Sequence, residues 1–302
     1  MVVQPTRATT ARLGGSTAIL LAATLWGTTG TAQALVLDHT TPLTIGAARI
    51  VVGGFLLFFI AVARRGAELA ALLGPAQVQR RRIHLLLAAA ACSVGLYQVA
   101  FFASVATTGV VVGTVVTIGS APAFAGLLAR LTGRQQSRRW LLATAGAATG
   151  LVALVSGGQA AGVDPLGVVL ALTSGFGYAV YATVAGHLIA DGADDLAVIA
   201  TVFGGAGLIM LPALLAASPG WLLSGFGLVV TAYLGAITTA VGYLLYARGL
   251  RTTTVPAATT LTMAEPVVAA VLGLVVVGEQ LGGTALAGLA LVVASLALLV
   301  RR

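Results

Sequence analysis

Two charged residues stand inside long apolar stretches of this chain, Arg49 and Glu265. A charge taken into hydrocarbon is costly, so each needs a partner or a task. Arg49 lies seven residues past Pro42, and Glu265 about twelve residues into its own stretch. At 1.5 Å per residue they sit about 10 and 18 Å from opposite surfaces, similar depths in a core of about 30 Å, so the two can pair. One reading is a buried ion pair or capped backbone that holds helices in register. The other is recognition: Arg49 meets a carboxylate, or Glu265 exchanges a proton. Both readings stand at this point.

Aromatic residues make up only 6% of the chain, so their positions carry information. Trp26 and Tyr178 fall near mid-depth and suit the wall of a central cavity, with Phe176 placed opposite Trp26 by the repeat described below. Tyr97 and Phe101 share a helix face by i,i+4 spacing near one surface, while Tyr243 and Tyr246 sit toward the other, an arrangement suited to gating opposite mouths. The alternative for all of them is packing or interfacial anchoring, which is the favoured reading for Tyr246. Gln98, Thr114 and Thr117 are candidate hydrogen-bonding groups for an ammonium or carboxylate, although threonine also bonds its own helix backbone. Pro122 and Pro266 should bend their helices and serve as hinges. Gly53-Gly54, Gly109/Gly113 and Gly146/Gly150 permit close helix approach.

Other chemistries lack their residues. No paired aspartates and no H-E-x-x-H occur in the apolar stretches, and His39, His84 and His187 sit at their ends. Gly119-Ser120 has no histidine base near it in its stretch, so an intramembrane enzyme is disfavoured. No GxxxxGK[ST] loop is present for ATP, and no metal or cofactor motif is found. The single Cys92 excludes a disulfide within the chain.

The elements that position these residues are transmembrane helices. With 59% hydrophobic and 8% charged residues the chain is too apolar for a soluble domain. Its sixteen basic residues are all arginine, and all but Arg49 fall into five patches: Arg7/Arg12, Arg64/Arg65 with Arg80 to Arg82, Arg130/Arg134/Arg138/Arg139, Arg248/Arg251, and Arg301/Arg302. Turn-like breaks between them divide the chain into ten spans at 13–35, 42–63, 83–105, 109–130, 138–156, 165–188, 194–217, 224–247, 253–277 and 281–300. Because cytoplasmic loops collect arginine, this count puts all five patches and both termini on the cytoplasmic side. The loop between spans six and seven has no arginine and carries Asp191, Asp194 and Asp195, an exception to the rule. The stretch 64–82 reads as a short surface helix on anionic lipid. The start resembles a secretory signal ending at Ala32-Gln33-Ala34, but its apolar run is long for one, and cleavage would leave an unpaired half. The net charge of +8 is explained by topology and anionic lipid, and no nucleic-acid partner is implied. Arginine without lysine, with abundant Ala, Gly and Val, points to a GC-rich bacterial genome and an inner membrane.

The two halves repeat. Thr252 to Pro266 align without a gap on Thr108 to Pro122, 144 residues earlier, and Gln280 falls on Gln136. Arg134 and Arg139 correspond to Gly278 and Gly283, while uncharged Thr107-Thr108-Gly109 corresponds to the region of Arg251. The arginines change ends, as a unit of five spans must when it inserts a second time in the opposite sense. The expected architecture is all-α, with a tail at 1–12, a first five-helix repeat at 13–156, an external linker at 157–164 and an inverted second repeat at 165–302. Inverted repeats serve alternating access in secondary transporters, a need that the alternative, a non-transport membrane receptor or scaffold, does not have.

The chain resembles the drug/metabolite transporter superfamily of ten-helix carriers with two EamA-type domains. The resemblance rests on Leu25-Trp26-Gly27, on Pro42 followed by Ala48-Arg49, on Ala264-Glu265-Pro266 and on Gly278-Glu279-Gln280, in that order along residues 13 to 300. Within it the chain is most similar to the YddG-type amino-acid and metabolite exporters. The resemblance implies export of a small molecule across the bilayer. Phosphate-carrying members bring lysines or arginines into the pathway, whereas only Arg49 lies within a span here, which argues for a neutral or zwitterionic cargo. The glycine stripes would permit a dimer, and the sequence leaves oligomeric state open.

Overall fold

The computed structural model describes residues 14–34, 40–74, 78–108, 110–156, 164–217, 219–272, 274–275 and 282–301. The tail with Arg7 and Arg12, most of the linker 157–164, His39, Gly109, Gly278-Glu279-Gln280 and Arg302 lie outside the described residues. Within them the regular structure is helical: α1 (Gly15–Gly27), α2 (Thr29–Ala34), α3 (Pro42–Leu73), α4 (Val78–Thr108), α5 (Val110–Leu131), α6 (Arg138–Ser156), α7 (Pro165–Ala190), α8 (Asp195–Ala216), α9 (Gly225–Ala232), α10 (Gly242–Leu250), α11 (Val255–Leu261), α12 (Ala264–Leu272) and α13 (Gly283–Val300). Among the described residues eight segments are long and apolar enough to cross a membrane: most of α3, α4 and α5, then α7, α8, the run from α9 through α10, the run from α11 through α12, and α13. The α1 helix is a shorter apolar one, and α6 opens on Arg138 and Arg139.

Local chemistry sets the helix starts. Thr41 accepts from the Thr44 N–H ahead of Pro42, Asp164 accepts from Leu166 ahead of Pro165, and Asp194 and Ser224 cap α8 and α9. These side chains satisfy amide groups that a helix start leaves unpaired. Gly192, at φ 97°, makes the turn between α7 and α8.

Three expected spans are interrupted. Span one stops at Gly27, where the Thr28 hydroxyl donates to Leu25 O at 2.7 Å before α2 resumes. Span eight contains a π-helical stretch, Tyr233–Val241, between α9 and α10. Span nine is two half-helices separated by Thr262 and Met263. Pro266 has no N–H to offer Thr262, and the Glu265 N–H takes that carbonyl at 2.9 Å in a tighter turn. By contrast α5 runs unbroken through Pro122. The expected surface helix at 64–82 is met as far as Leu73: a kink at Arg65 (φ −140°, ψ 37°) sets a second, mostly exposed helical stretch off from the first within α3.

The halves interlock. The α3 helix lies along α8, α6 along α13, and α5 meets α11, while α4 packs on α7 as α10 packs on α1, and α5 on α7 as α12 on α1. Exchanging the halves maps this set of contacts onto itself. Close packing needs small residues: a Cβ on Gly150 would come 2.8 Å from Gly288 O of α13, and one on Gly54 would meet the Phe203 carbonyl of α8. Arginine-bearing ends gather together. Arg65 and Arg251 pair with Asp194, Arg139 donates to Leu298 O, and Gly15 abuts Thr252. The acidic loop that lacks arginine therefore sits among the arginines through ion pairs.

Candidate functional site

A cavity of about 680 Å³, counting its open mouth, lies between the halves. The half-helix α12 brings Glu265 to it from its first turn, where a carboxylate is favoured by unpaired amides and the helix dipole. The α3 helix brings Arg49, α4 brings Tyr97, Gln98, Phe101 and Phe102, α5 brings Thr117, and α7 brings Ser174 and Tyr178. Trp26 of α1, Tyr243 of α10 and Thr262 complete most of the wall. An apolar, largely aromatic lining with a few convergent polar groups is the usual character of a small-molecule site.

Most of the residues singled out from sequence meet here: Trp26, Arg49, Tyr97, Gln98, Phe101, Thr117, Tyr178, Tyr243 and Glu265. Thr114 is not among the lining residues. Phe176, expected opposite Trp26, turns out of the site, is 42% exposed and packs on Phe124. Arg49 and Glu265 share the cavity but form no ion pair; among the described residues those pairs join Arg65, Arg251, Glu68, Asp194 and Asp195. The Arg49 Nε has no hydrogen-bond partner, and the guanidinium faces the Tyr243 hydroxyl.

The tyrosines correct two expectations. Tyr97 and Tyr243 do not stand at opposite mouths, because their hydroxyls share a hydrogen bond of 2.5 Å across the halves. Tyr246 is no interfacial anchor. It is fully buried, with its ring 5.7 Å from Trp26 and 6.1 Å from Tyr178. Five of the six tyrosines, 97, 178, 181, 243 and 246, pack in one group with Phe203, all but the half-buried Tyr178 being buried.

Polar atoms in the wall are largely committed. The Trp26 indole donates to Thr238 O in the π-helical stretch at 2.8 Å, tying α1 to the second half. Thr117 donates to Ala171 O and Ser174 to Tyr97 O, both on neighbouring helices. Gln98 reaches Gly46 O at 3.4 Å. Arg49 and Glu265 are left as the charged groups with capacity for a ligand. Among the described residues no three His, Cys, Asp or Glu side chains converge as a metal site would require.

The cavity occupies the part of the bundle away from the arginine-bearing end. Toward that end Tyr181, Tyr246, Phe203, Leu261 and Met263 are all at most 1% exposed. Beyond them the Arg65, Arg251, Asp194 and Asp195 pairs close the end. Sequence reasoning missed Thr262, Ser174, Phe102 and Tyr181. Thr262 had a signal in the run Thr259-Thr260-Leu261-Thr262 ahead of Glu265-Pro266, since hydroxyls beside a proline commonly satisfy freed backbone groups.

Comparison with known proteins agrees with this architecture. The sequence model of the EamA-like transporter family matches the chain twice, at residues 13–156 and 165–301. The uncharacterized transporter YwfM of Bacillus subtilis (strain 168) is 35% identical over 279 residues, covering 92% of this chain and 90% of that protein. A crystal structure of a further protein superposes with a TM-score of 0.76 at 19% identity, covering 94% of this chain and 95% of that one, a likeness of fold alone.

Proposed function

The chain belongs to the EamA-like transporter family, and on that premise we propose that it exports neutral or aromatic amino acids, or similar small metabolites, by alternating access. The observation that carries the proposal is one cavity holding an arginine and a carboxylate that are not paired to each other, walled by Trp26, Tyr97, Tyr178 and Tyr243. A zwitterion supplies the missing partner to both charges, its carboxylate to Arg49 and its ammonium to Glu265. An apolar or aromatic side chain then rests on the rings, where an ammonium also gains cation–π attraction.

The proposed topology is ten transmembrane segments in two inverted halves, 13–156 and 165–302, with a tail at 1–12 and a linker at 157–164. The arginine patches and both termini face the cytoplasm of a bacterial cell, at its inner membrane. In that orientation the cavity opens outward and the tyrosine layer with the ion pairs seals the inner mouth. Rocking one half against the other reverses this state, with Pro122 and the break at Pro266 as hinges. Carriage of other metabolites or drugs follows the same mechanism with a different fit to the rings.

The test is counterflow by the purified protein in liposomes with a panel of neutral, aromatic, acidic and basic amino acids, with and without a pH gradient. Saturable counterflow of neutral or aromatic members is expected. Indifference to the gradient would remove Glu265 as an obligatory proton carrier. Silence across the panel would overturn the amino-acid assignment.

A further inference from the structure

A second recess lies at the arginine-bearing end, lined by Arg64, Arg65, Asp195, Leu196 and Arg248. Its charges are unevenly matched. Arg65 pairs with Glu68 at 3.2 Å and with Asp194 at 3.6 Å, and the Asp195 carboxylate is taken by Arg251 at 2.9 Å. Arg64 and Arg248 line the same recess and join none of these ion pairs. Among the described residues that line this recess or pair with it, four arginines face three carboxylates, which leaves one positive charge.

Depth limits what can reach it. Arg64 lies twenty-two residues along α3 from Pro42, a rise of about 33 Å, and Arg248 stands in the last turn of α10, so both reach the edge of a core of about 30 Å. We propose that this recess binds a monoanionic phosphate ester, held by the Arg64 and Arg248 forks. A single negative charge matches the single uncompensated positive one, and guanidinium groups suit phosphate oxygens in geometry as well as charge. Because α3 belongs to the first half and α10 to the second, the bound group bridges the halves where the bundle is closed. The site is separate from the central cavity, and the proposal does not depend on the cargo.

The test is retention of phosphatidylglycerol against phosphatidylcholine by the purified protein, read by native mass spectrometry from an equal mixture. The wild type should keep one phosphatidylglycerol in preference. R64Q/R248Q should weaken retention about thirtyfold, the weight of two interfacial arginines, and R248Q alone about fivefold should the double variant fail to fold. R130Q/R138Q removes two exposed arginines from the same end and should retain the lipid, whereas R64K/R248K should retain it partly, keeping charge without the fork. Displacement of the lipid by millimolar glycerol phosphate would identify a water-borne ester as an equivalent ligand, and failure to displace it would identify the lipid as the ligand. Retention unchanged in R64Q/R248Q and in R248Q, or lost equally in R130Q/R138Q, overturns the site.

Discussion

Replacing the two bonded tyrosines separately and together tests how the central cavity is held. Tyr97 and Tyr243 are 7% and 3% exposed, and their hydroxyls bond across the halves at 2.5 Å. Tyr243→Phe leaves the Tyr97 hydroxyl buried without that partner, a loss of about 1–3 kcal/mol. Tyr97→Phe is milder, below about 1 kcal/mol, because the Tyr243 oxygen still faces the Arg49 guanidinium, a charged donor. Adding Tyr97→Phe to Tyr243→Phe removes the stranded hydroxyl, so the double variant should be more stable than Tyr243→Phe alone by about 1–2 kcal/mol. At roughly 2 °C per kcal/mol for a chain of this size, thermal unfolding of purified protein should show Tyr243→Phe about 4 °C below wild type and the double variant about 2–4 °C above Tyr243→Phe. Losses that simply add would refute the claim that the two hydroxyls form one unit. Transport by the same variants gives a second readout, since the bond crosses the two halves that the proposed rocking would separate.

Glu265→Gln should express and fold normally but reduce counterflow of zwitterionic substrates by about tenfold or more, the weight of one charge-assisted hydrogen bond to the cargo; full transport with normal expression would end its role as cargo or proton site. Gly150→Ala places a Cβ 2.8 Å from Gly288 O between α6 and α13, so thermal unfolding should reveal a loss of about 1–3 kcal/mol from overpacking. Trp26→Phe keeps an aromatic ring but removes the indole N–H that donates to the Thr238 carbonyl across the halves. A loss of about 0.5–1.5 kcal/mol is expected, measured as a lowered unfolding temperature, whereas Tyr178→Phe, whose hydroxyl has no hydrogen-bond partner within bonding geometry, should cost less.

The helical class, the repeat and the residues worth watching are all legible in the chain before it folds. Transfer of side chains into hydrocarbon depends on each local window, so apolar stretches and arginine patches can be read without knowing the fold. Charge within a span is costly wherever the span packs, which is why Arg49 and Glu265 could be singled out, and most of the aromatic residues chosen with them do line the same cavity. Which faces meet is a matter of tertiary packing. Tyr97 and Tyr243 lie 146 positions apart and share one hydrogen bond, Trp26 and Thr238 lie 212 apart, and both depend on the rotation of packed helices about their axes. That rotation also buries Tyr246, which depth alone had suggested as an anchor, turns Phe176 away, and holds Arg49 and Glu265 apart. At the breaks the freed backbone is satisfied locally, Leu25 O by the Thr28 hydroxyl and Thr262 O by the Glu265 N–H, whereas in the π-helical stretch Tyr233–Val241 the Trp26 indole of another helix also reaches Thr238 O, a contact that only tertiary packing supplies.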